Sequence, residues 1–362
     1  MINRLVFENL KHRPVRTLLT AIAVGIQVTM ILTLVGVSFG MLDDIAKRTR
    51  GTGADLMVRP PDSSIIGFSG NMPEKIVDVV RGLPHVGIAT GVLQQPIGGI
   101  NTITGINLAE FDRMSGGFEY LSGGPFEHPN DLIVDDVFAR AEHVRVGGMV
   151  NLGKPWRICG IVLPGKLSRT FAEIKALQEM YSAQGKVTTI FVKADEPGNI
   201  PVVQSELEQR LGTSYKIYSM QEYTSLVSVN NIPELKTFTN VVIGLGLAIG
   251  FLVVFLSMYT AVLERTREIG ILKALGAGPG YILSMLIRET IFLSVFGTIA
   301  GILMTYGARA LLGVFVPTFT TEIAYSWWPF AAVLAIAGSL IGAIYPGLKA
   351  ARQDAIEALS YD

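Results

Sequence analysis

The chain has 362 residues, 49% of them hydrophobic, and its 30 basic residues balance its 30 acidic residues. This balance leaves no global field to attract nucleic acid, so we expect no nucleic-acid partner. The single cysteine, Cys159, excludes an internal disulfide, and the scattered histidines predict no metal site.

Residues 1–16 precede the first long apolar stretch and have an amphipathic pattern. Ile2, Leu5, Val6 and Leu10 recur near helical spacing among charged and polar residues. We therefore expect a cytoplasmic helix that lies in the membrane interface, although a plain extension of the next helix fits the same pattern.

Four stretches that lack charged residues predict four membrane spans, because each is close to the ~20 residues that cross the hydrocarbon layer. The charge-free windows are Thr17–Leu42, Thr237–Leu263, Thr290–Ala308 and Ile323–Leu348. Four such windows in one chain disfavour the buried helices of a soluble protein. We predict transmembrane helices at residues 17–42, 237–263, 281–308 and 323–348.

The first span is too long for a removable signal peptide, and it lacks a small-residue cleavage site, so we expect it to remain as an anchor. Its most polar residue, Gln27, is predicted to hydrogen-bond across a helix interface. No Asp, Glu, Lys or Arg lies within the four windows, which argues against ion-coupled transport.

Residues 43–236 change to short apolar runs separated by Gly, Pro, Asn and Asp, a mixture typical of a soluble α/β or α+β domain. We expect two subdomains, with the break between Gly105 and Asp131. Predicted strands cover Asp55–Val58, Ile88–Gln94, Thr102–Ile106, Asp131–Val134, Met149–Leu152, Arg157–Val162 and Thr188–Lys193. Predicted helices cover Pro73–Arg81, Asp136–His143, Ala172–Ala183 and Pro201–Leu211.

Two segments of this domain resemble nucleotide-binding motifs. Gly160–Leu167 has the glycine and lysine spacing of a phosphate loop, but Leu167 stands where a Mg²⁺ ligand requires Ser or Thr. Leu121–Pro125 is similar to the signature of ABC ATPases, with Pro125 in place of the usual Gln. We interpret both segments as turns and expect this chain to bind no cofactor of its own.

Lys and Arg near the span ends predict the orientation of the chain. Basic residues precede the first span, separate the second span from the third, and follow the fourth; they are Arg4, Lys11, Arg13, Arg16, Arg265, Arg267, Lys273, Arg288, Lys349 and Arg352. We therefore expect a multi-pass protein of the inner (cytoplasmic) membrane. Both termini, at residues 1–16 and 349–362, and the connection at 264–280 are predicted to be cytoplasmic.

The same orientation places the domain at residues 43–236 and the loop at 309–322 on the outer side of the membrane. Trp327 and Trp328 then fall at the outer end of the fourth span. Their amphipathic rings favour the headgroup layer, which agrees with this orientation.

Glycines four residues apart occur in every predicted span. Such pairs align on one helix face and permit two backbones to approach closely. Three roles are open for these pairs: packing within the bundle, a dimer interface or a sliding surface. The pairs are Gly36 and Gly40, Gly246 and Gly250, Gly297 and Gly301, and Gly338 and Gly342.

The connection after the second span is a charged, helix-favouring segment that runs from Glu264 to Ala277. Gly276, Gly278 and Pro279 end it before the next helix. Exposed apolar side chains flanked by charges are costly in water and predict contact with another protein. A helix packed on its own bundle is the alternative. The apolar residues concerned are Ile269, Ile271, Leu272 and Leu275.

The segment Glu264–Ala277 closely resembles the cytoplasmic signature of the FtsX-like permease family, the membrane subunits of MacB-type, or type VII, ABC systems. Tyr345–Leu359 is similar to the family's C-terminal ending, with Ala355 in place of the usual Pro. Gly105–Leu108 and Val146–Val150 resemble parts of its periplasmic core domain. The implied fold is an α-helical membrane protein with four transmembrane helices and an extracytoplasmic α/β (α+β) domain between helices 1 and 2.

The resemblance implies a non-catalytic subunit of an ABC transporter, paired with itself or a related chain and bound to a separate cytoplasmic ATPase that holds ATP and Mg²⁺. ATP hydrolysis would move the external domain by mechanotransmission and extrude a lipid-like substrate, lipoprotein, drug, haem or peptide. Membrane lipid and a periplasmic adaptor or membrane-fusion protein are further implied partners. The alternative is a signalling subunit that activates a cell-wall hydrolase. The positions implied to dock on the ATPase are Arg265, Arg267, Glu268, Ile269, Ile271, Leu272, Lys273, Leu275 and Gly276.

Overall fold

The computed structural model describes residues 14–65, 70–98 and 101–353, which form two compact units. Residues 1–13 of the predicted interfacial helix and residues 354–362 of the predicted tail lie outside the described residues. The helical unit takes its described residues from Met1–Phe39, Glu234–Val314 and Thr321–Asp362. The sheet unit takes its described residues from Gly40–Pro233 and Phe315–Thr320.

Within the described residues, the helices are α1 (Pro14–Arg50), α2 (Lys75–Arg81), α3 (Leu108–Ser115), α4 (Asp136–Ala141), α5 (Ile174–Met180), α6 (Ile200–Leu211), α7 (Met220–Leu226), α8 (Pro233–Glu264), α9 (Thr266–Ala274), α10 (Pro279–Phe315) and α11 (Trp328–Arg352). The strands are β1 (Leu56–Arg59), β2 (Met72–Pro73), β3 (Val86–Gly98), β4 (Asn101–Ile106), β5 (Tyr120–Gly123), β6 (Asp131–Asp135), β7 (Met149–Asn151), β8 (Pro155–Val162), β9 (Thr170–Glu173), β10 (Lys186–Val187), β11 (Thr189–Ala194) and β12 (Lys216–Ser219). Short 3₁₀ turns occupy Pro197–Asn199, Gly212–Ser214, Val229–Asn231 and Tyr325–Trp327.

The helical unit contains the four long helices α1, α8, α10 and α11, each long and apolar enough to cross a membrane. The prediction of four transmembrane helices is confirmed. The helices extend beyond the charge-free windows; α10 begins at Pro279, whereas its window begins at Thr290. Their inward faces share one apolar core, to which Ile31 of α1, Val254 of α8 and Ile282 of α10 belong.

Helices α1 and α10 cross where both present glycine. A Cβ atom added at Gly301 would lie 2.6 Å from the carbonyl oxygen of Gly25, and one added at Gly297 would lie 2.7 Å from Cβ of Val24. Thr29 Oγ1 donates a hydrogen bond to the Gly301 carbonyl oxygen at 2.9 Å. The two backbones therefore approach each other more closely than any side chain at these positions would permit.

Helix α8 meets α1 at another predicted pair, Gly246 and Gly250. A Cβ atom at Gly246 would lie 3.0 Å from the end of the Met30 side chain, and one at Gly250 would lie 1.8 Å from Gln27 Oε1. Gln27 is buried between the helices, as expected of a residue at a helix interface. Its Nε2 has no hydrogen-bond partner among the described residues, so the predicted cross-helix bond is not made by that atom.

Helix α11 meets α8 at two glycines that have different amounts of space. A Cβ atom at Gly342 would lie 2.8 Å from the Phe251 carbonyl oxygen, whereas at Gly338 the nearest atom, in the Leu247 side chain, would be 3.6 Å away. Gly342 therefore sets the distance between the two backbones, and Gly338 has ordinary van der Waals room.

The sheet unit is built on one continuous sheet with the strand order β12-β1-β11-β3-β4-β9-β6-β8-β5, and β7 pairs with β8. Strand β3 joins two halves of this sheet, because its residues up to Val92 pair with β11 and those from Leu93 pair with β4. The half from β4 to β9 is thus inserted between β3 and β11. The boundary lies inside β3 rather than between Gly105 and Asp131, since one strand continues through both halves.

The two halves of the sheet share one apolar core. Leu56 of β1 and Ile190 of β11 belong to the same buried cluster as Val134 of β6 and Trp156 of β8. Val80 of α2 packs in this cluster as well. The sheet unit therefore folds around a single core, although the inserted half separates β3 from β11 along the chain.

Three local predictions need correction. The helix predicted at Ala172–Ala183 begins at Ile174, because Thr170–Glu173 form β9 and are held between β4 and β6. The predicted turn at Leu121–Pro125 begins as the edge strand β5. The predicted turn at Gly160–Leu167 starts only after Val162, because Gly160–Val162 belong to β8; strand β9 rather than a helix follows it, as expected of a segment that is not a phosphate loop.

A buried ion network lies within the sheet unit, where the last turns of α1 meet the residue before β9. Arg169 donates hydrogen bonds to Asp135 Oδ2 at 3.1 Å and to Asp44 Oδ2 at 3.0 Å. Arg48 Nε donates to the same Asp44 oxygen at 3.0 Å. Burial raises the pKa of Asp135 against the opposing charge of Arg169. The network attaches the end of α1 to the sheet.

Cys159 is half-buried in β8. Its Sγ lies 3.4 Å from the carbonyl oxygen of Leu132. Burial raises the pKa of the thiol to about 12. Cys159 is therefore a protonated, weakly reactive thiol at neutral pH.

Asp131, at the start of β6, is a buried carboxylate with several donors. It accepts hydrogen bonds from Arg157 Nε at 2.8 Å and from the backbone amides of Glu127 and His128 at 2.8 Å and 2.9 Å. Burial by itself would raise the pKa of Asp131. The hydrogen bonds and the Arg157 charge outweigh that effect and lower the pKa to about 2.

We expect Gly301→Ala to destabilise the helical unit by about 1–3 kcal/mol, because the new methyl group has to displace helix backbone. Gly338→Ala adds the same group where room exists and is the matched control. SDS titration of the detergent-solubilised chain gives both free energies of unfolding. Equal values for the two variants would contradict the packing argument.

A second prediction concerns acid stability. The folded-state pKa of Asp131 lies below its ordinary value of 3.8. The ionised Asp131 carboxylate therefore stabilises the folded state above pH 3.8, and this contribution is lost as the pH falls toward 2. Asp131→Asn should therefore be less stable than wild type at about pH 6 and approach it near pH 2. Unfolding followed by circular dichroism at several pH values measures this, and a constant difference across the range would disprove it.

Candidate functional site

Helix α9 is a separate short helix between α8 and α10. The helical path breaks at Arg265, whose φ is −110°, and α9 continues from Thr266. At its other end, the amide of Gly276 donates to the carbonyl of Lys273, and the amide of Ala277 donates to that of Leu272, each at 2.9 Å. Gly276 has a φ of +96°, a conformation that favours glycine. The predicted short helix is present, with Gly276 as its stop.

One face of α9 packs against the helical unit. Thr266, Ile269 and Gly270 are buried, and Ile269 is only 2% exposed. Their spacing of three and four residues places them on the same side of the helix. The expectation that Ile269 is exposed is therefore wrong. Leu272 is half-buried and packs against the same core, so it too belongs mainly to the bundle.

The opposite side of α9 is exposed and carries both apolar and charged groups. Leu275 is 81% exposed and Ile271 is 46% exposed. We refer to this surface as the outer face of α9. Its members among the predicted docking residues are Arg267, Glu268, Ile271, Leu275 and Gly276.

Arg265 points into the helical unit and pairs with a carboxylate. Its Nη1 donates to Glu289 Oε2 at 3.1 Å and to Oε1 at 3.4 Å, and both side chains are at least 95% buried. Arg16 of α1 lies 3.5 Å from Glu289 Oε1 and 3.4 Å from Glu264 Oε2. The network joins α1, α8, α9 and α10 at one point. Arg265 is thus a buried partner of α10 rather than part of the outer face.

The predicted docking residue Lys273 also has a partner within the helical unit. Its Nζ donates to the carbonyl oxygen of Ala351 at 2.8 Å and to that of Gln353. These carbonyls lie at the end of α11, where the partial negative charge of the helix favours a cation. Lys273 therefore connects α9 to α11 and does not belong to the outer face of α9.

The described residues of this region form an exposed surface together with ion pairs and hydrogen bonds that link it to neighbouring helices. Across residues 14–65, 70–98 and 101–353, no group of three or more His, Cys, Asp or Glu residues is placed to hold a metal ion. Sequence reasoning missed Glu289, because it follows Arg288 just before a charge-free window. The only signal was an acidic residue inside the range 281–308 predicted to span the membrane.

Comparison with known families gives this arrangement its context. The MacB-like periplasmic core domain matches residues 17–210, which is more than half of the chain. The FtsX-like permease C-terminal domain matches residues 240–355 and so includes α9. The chain belongs to the MacB-like periplasmic core domain family and carries an FtsX-like permease C-terminal domain. With its four apolar helices, this permease is a multi-pass membrane protein.

Two curated relatives extend the comparison. The uncharacterized ABC transporter permease YknZ of Bacillus subtilis (strain 168) is 27% identical over 259 residues, which are 67% of this permease and 64% of YknZ. The macrolide export ATP-binding/permease protein MacB of Escherichia coli is 25% identical over 395 residues, with 99% of this permease and 60% of MacB covered. This permease therefore spans less than two thirds of the length of either relative.

Among solved structures, the periplasmic region of MacB from Actinobacillus actinomycetemcomitans matches with a TM-score of 0.37 and 14% identity. The match covers 51% of this permease and 97% of that structure.

We expect Glu289→Gln to cost this permease about 3–5 kcal/mol of unfolding free energy, because it leaves the buried Arg265 charge uncompensated. Glu268→Gln makes the same chemical change on the outer face and should cost less than about 0.5 kcal/mol. SDS titration in mixed micelles measures both values. The double variant Arg265→Gln/Glu289→Gln should recover part of the loss, and strict additivity of the two single changes would contradict the pairing.

Proposed function

We propose that this permease is the membrane subunit of an ABC transporter and couples ATP hydrolysis in a separate cytoplasmic ATPase to a conformational change of its extracytoplasmic domain. Its Escherichia coli relative, the macrolide export ATP-binding/permease protein MacB, joins an ATP-binding part and a permease part in one protein, of which this chain covers 60%. We place the ATP-binding part, with its nucleotide and Mg²⁺, in a partner chain.

The observation that carries this proposal is the exposure of Leu275 and Ile271 on a helix whose other face is fixed. Burying a leucine or isoleucine side chain contributes about 1.5–3 kcal/mol, so an exposed pair is a favourable anchor for another protein. Arg267 and Glu268 lie beside these residues and supply charges of both signs. Charged groups around an apolar centre orient a partner and select against wrong ones.

A displacement of α9 has direct routes into the helical unit. Arg265 transmits it to Glu289 of α10, and Lys273 transmits it to the end of α11. Arg16 extends the first route to α1. Helix α1 ends at Arg50, within the sheet unit, and it is therefore one covalent path by which movement of the helices reaches the extracytoplasmic domain.

The remaining features of the proposed assembly come from charge and family. We place both termini and α9 on the cytoplasmic side of the inner membrane, because the basic residues of the short flanks concentrate there. A second permease copy, identical or related, completes the transporter, with membrane lipid around it and a periplasmic adaptor as an optional partner. The substrate is of a lipid-like, lipoprotein, drug, haem or peptide class, and the domain at the outer surface handles it.

We expect Leu275→Asp to weaken association with the ATPase at least about tenfold, the equivalent of 1.4 kcal/mol. Ile271→Asp should weaken the same association to a smaller extent. Val202→Asp makes a similar change on an exposed residue of α6 and is the matched control. The measurement is the amount of ABC ATPase, identified by mass spectrometry, that copurifies with each tagged chain from solubilised membranes.

All three variants should insert into the membrane like wild type, because the altered side chains are exposed. Failure of any ABC ATPase to copurify with wild type would overturn the proposed function. Undiminished copurification with Leu275→Asp would show that the ATPase binds elsewhere.

A further inference from the structure

A row of aromatic rings lies along the surface between α8 and α11. Phe251, Phe255 and Tyr259 of α8 stack on one another with ring centroids 6.0 Å and 6.1 Å apart. Tyr345 of α11 lies beside this row, 5.9 Å from the Phe255 centroid. The α8 rings are half-buried, and Tyr345 is 59% exposed. We refer to these four residues as the aromatic seam.

The close approach of the two helices explains why the rings lie at the surface. Gly342 brings the α11 backbone so near to Phe251 and Phe255 of α8 that a Cβ atom there would lie 2.8 Å from one backbone atom and 3.2 Å from another. No room is left between the helices for a large side chain at this level. The rings therefore lie along the outside of the crossing, where they form a continuous apolar strip.

The strip ends at a cation. Lys349 Nζ lies 5.0 Å from the Tyr259 ring centroid and 3.2 Å from its hydroxyl oxygen. Lys349 is exposed, and Arg352 follows it in the last turn of α11. Helix α11 contains no acidic residue from Trp328 to Arg352, and Glu264, the acidic residue of α8 nearest to Tyr259 in sequence, is paired with Arg16. Among the described residues of α11, the charged side chains at this end of the seam, Lys349 and Arg352, are therefore both basic.

We propose that the aromatic seam and Lys349 form a binding site for an anionic phospholipid of the cytoplasmic leaflet. The lipid phosphate pairs with the Lys349 ammonium and accepts a hydrogen bond from the Tyr259 hydroxyl, which both accepts and donates. One acyl chain lies along the rings. Basic positions between membrane helices on the cytoplasmic side are suited to anionic headgroups. The site rests on the proposed orientation but not on the binding of an ATPase.

The occupant is lipid rather than a soluble anion because the charged and apolar parts of the site are continuous. A free phosphate would use Lys349 alone and leave the seam exposed. A phospholipid satisfies both parts, with its phosphate at the level where a lysine side chain reaches the membrane interface. Its net negative charge distinguishes it from a zwitterionic lipid at the same position.

The test is native mass spectrometry of the purified full chain in detergent, without ATPase. The probes are phosphatidylglycerol and phosphatidylcholine with identical acyl chains. We expect wild type to retain phosphatidylglycerol in preference to phosphatidylcholine, and Lys349→Gln to lower that preference about fivefold. Lys349→Arg should keep it. Arg288→Gln removes another exposed basic residue near Glu289 and should leave the preference unchanged.

Glycerol phosphate, which is the headgroup without acyl chains, should not displace the bound lipid. Equal retention of the two lipids by wild type would overturn the proposal. An equal loss in Arg288→Gln would show general surface charge instead of a site. Unchanged lipid binding in Lys349→Gln, combined with loss of a dimer, would assign this surface to a second permease copy. None of these results bears on copurification of the ATPase.

Discussion

The placement of α9 depends on one buried carboxylate. Glu289 lies within α10, accepts hydrogen bonds from Arg265, and is paired with Arg16 of α1. A carboxylate removed from water is very costly unless its charge is compensated and its lone pairs are used. The two guanidinium groups meet that need, and three segments that are distant in sequence have to meet as a result. Because this pairing fixes the buried side of α9, Lys273 is in position to donate a hydrogen bond to the end of α11.

Most of the fold could be predicted because membrane spans and buried strands leave strong patterns. Charge-free windows indicated the four long helices, and short apolar runs indicated seven of the strands close to their observed positions. Strands β2, β5, β9, β10 and β12 were not predicted. Each has two or four residues, and each depends on a partner distant along the chain, as Thr170–Glu173 depends on β4 and β6. Local preference is weak evidence for such strands, because packing against neighbours decides their conformation.

The candidate site was predictable in location but not in detail. Glycine at position 276 and the charged flanks marked the ends of α9. The sequence did not show which side of α9 is buried, because the apolar residues 269, 271 and 272 are so close along the chain that they lie on both sides of a short helix. Glu289 directly follows Arg288, a position at which charges commonly face water. Its partner Arg265 is 24 residues earlier, and only the tertiary structure brings the two together.

The pairing of β1 has a consequence for the biosynthesis of this permease. Leu56 of β1 pairs with Val192 of β11 and Ser219 of β12, and both neighbours follow the entire inserted half of the sheet. Joining segments so distant in sequence is slow, because loop closure precedes the favourable contacts. The inserted half is able to complete its own pairing first. Until β11 emerges, the strand Leu56–Arg59, buried along its whole length in the finished fold, presents an unpaired edge that the cell has to shield from aggregation.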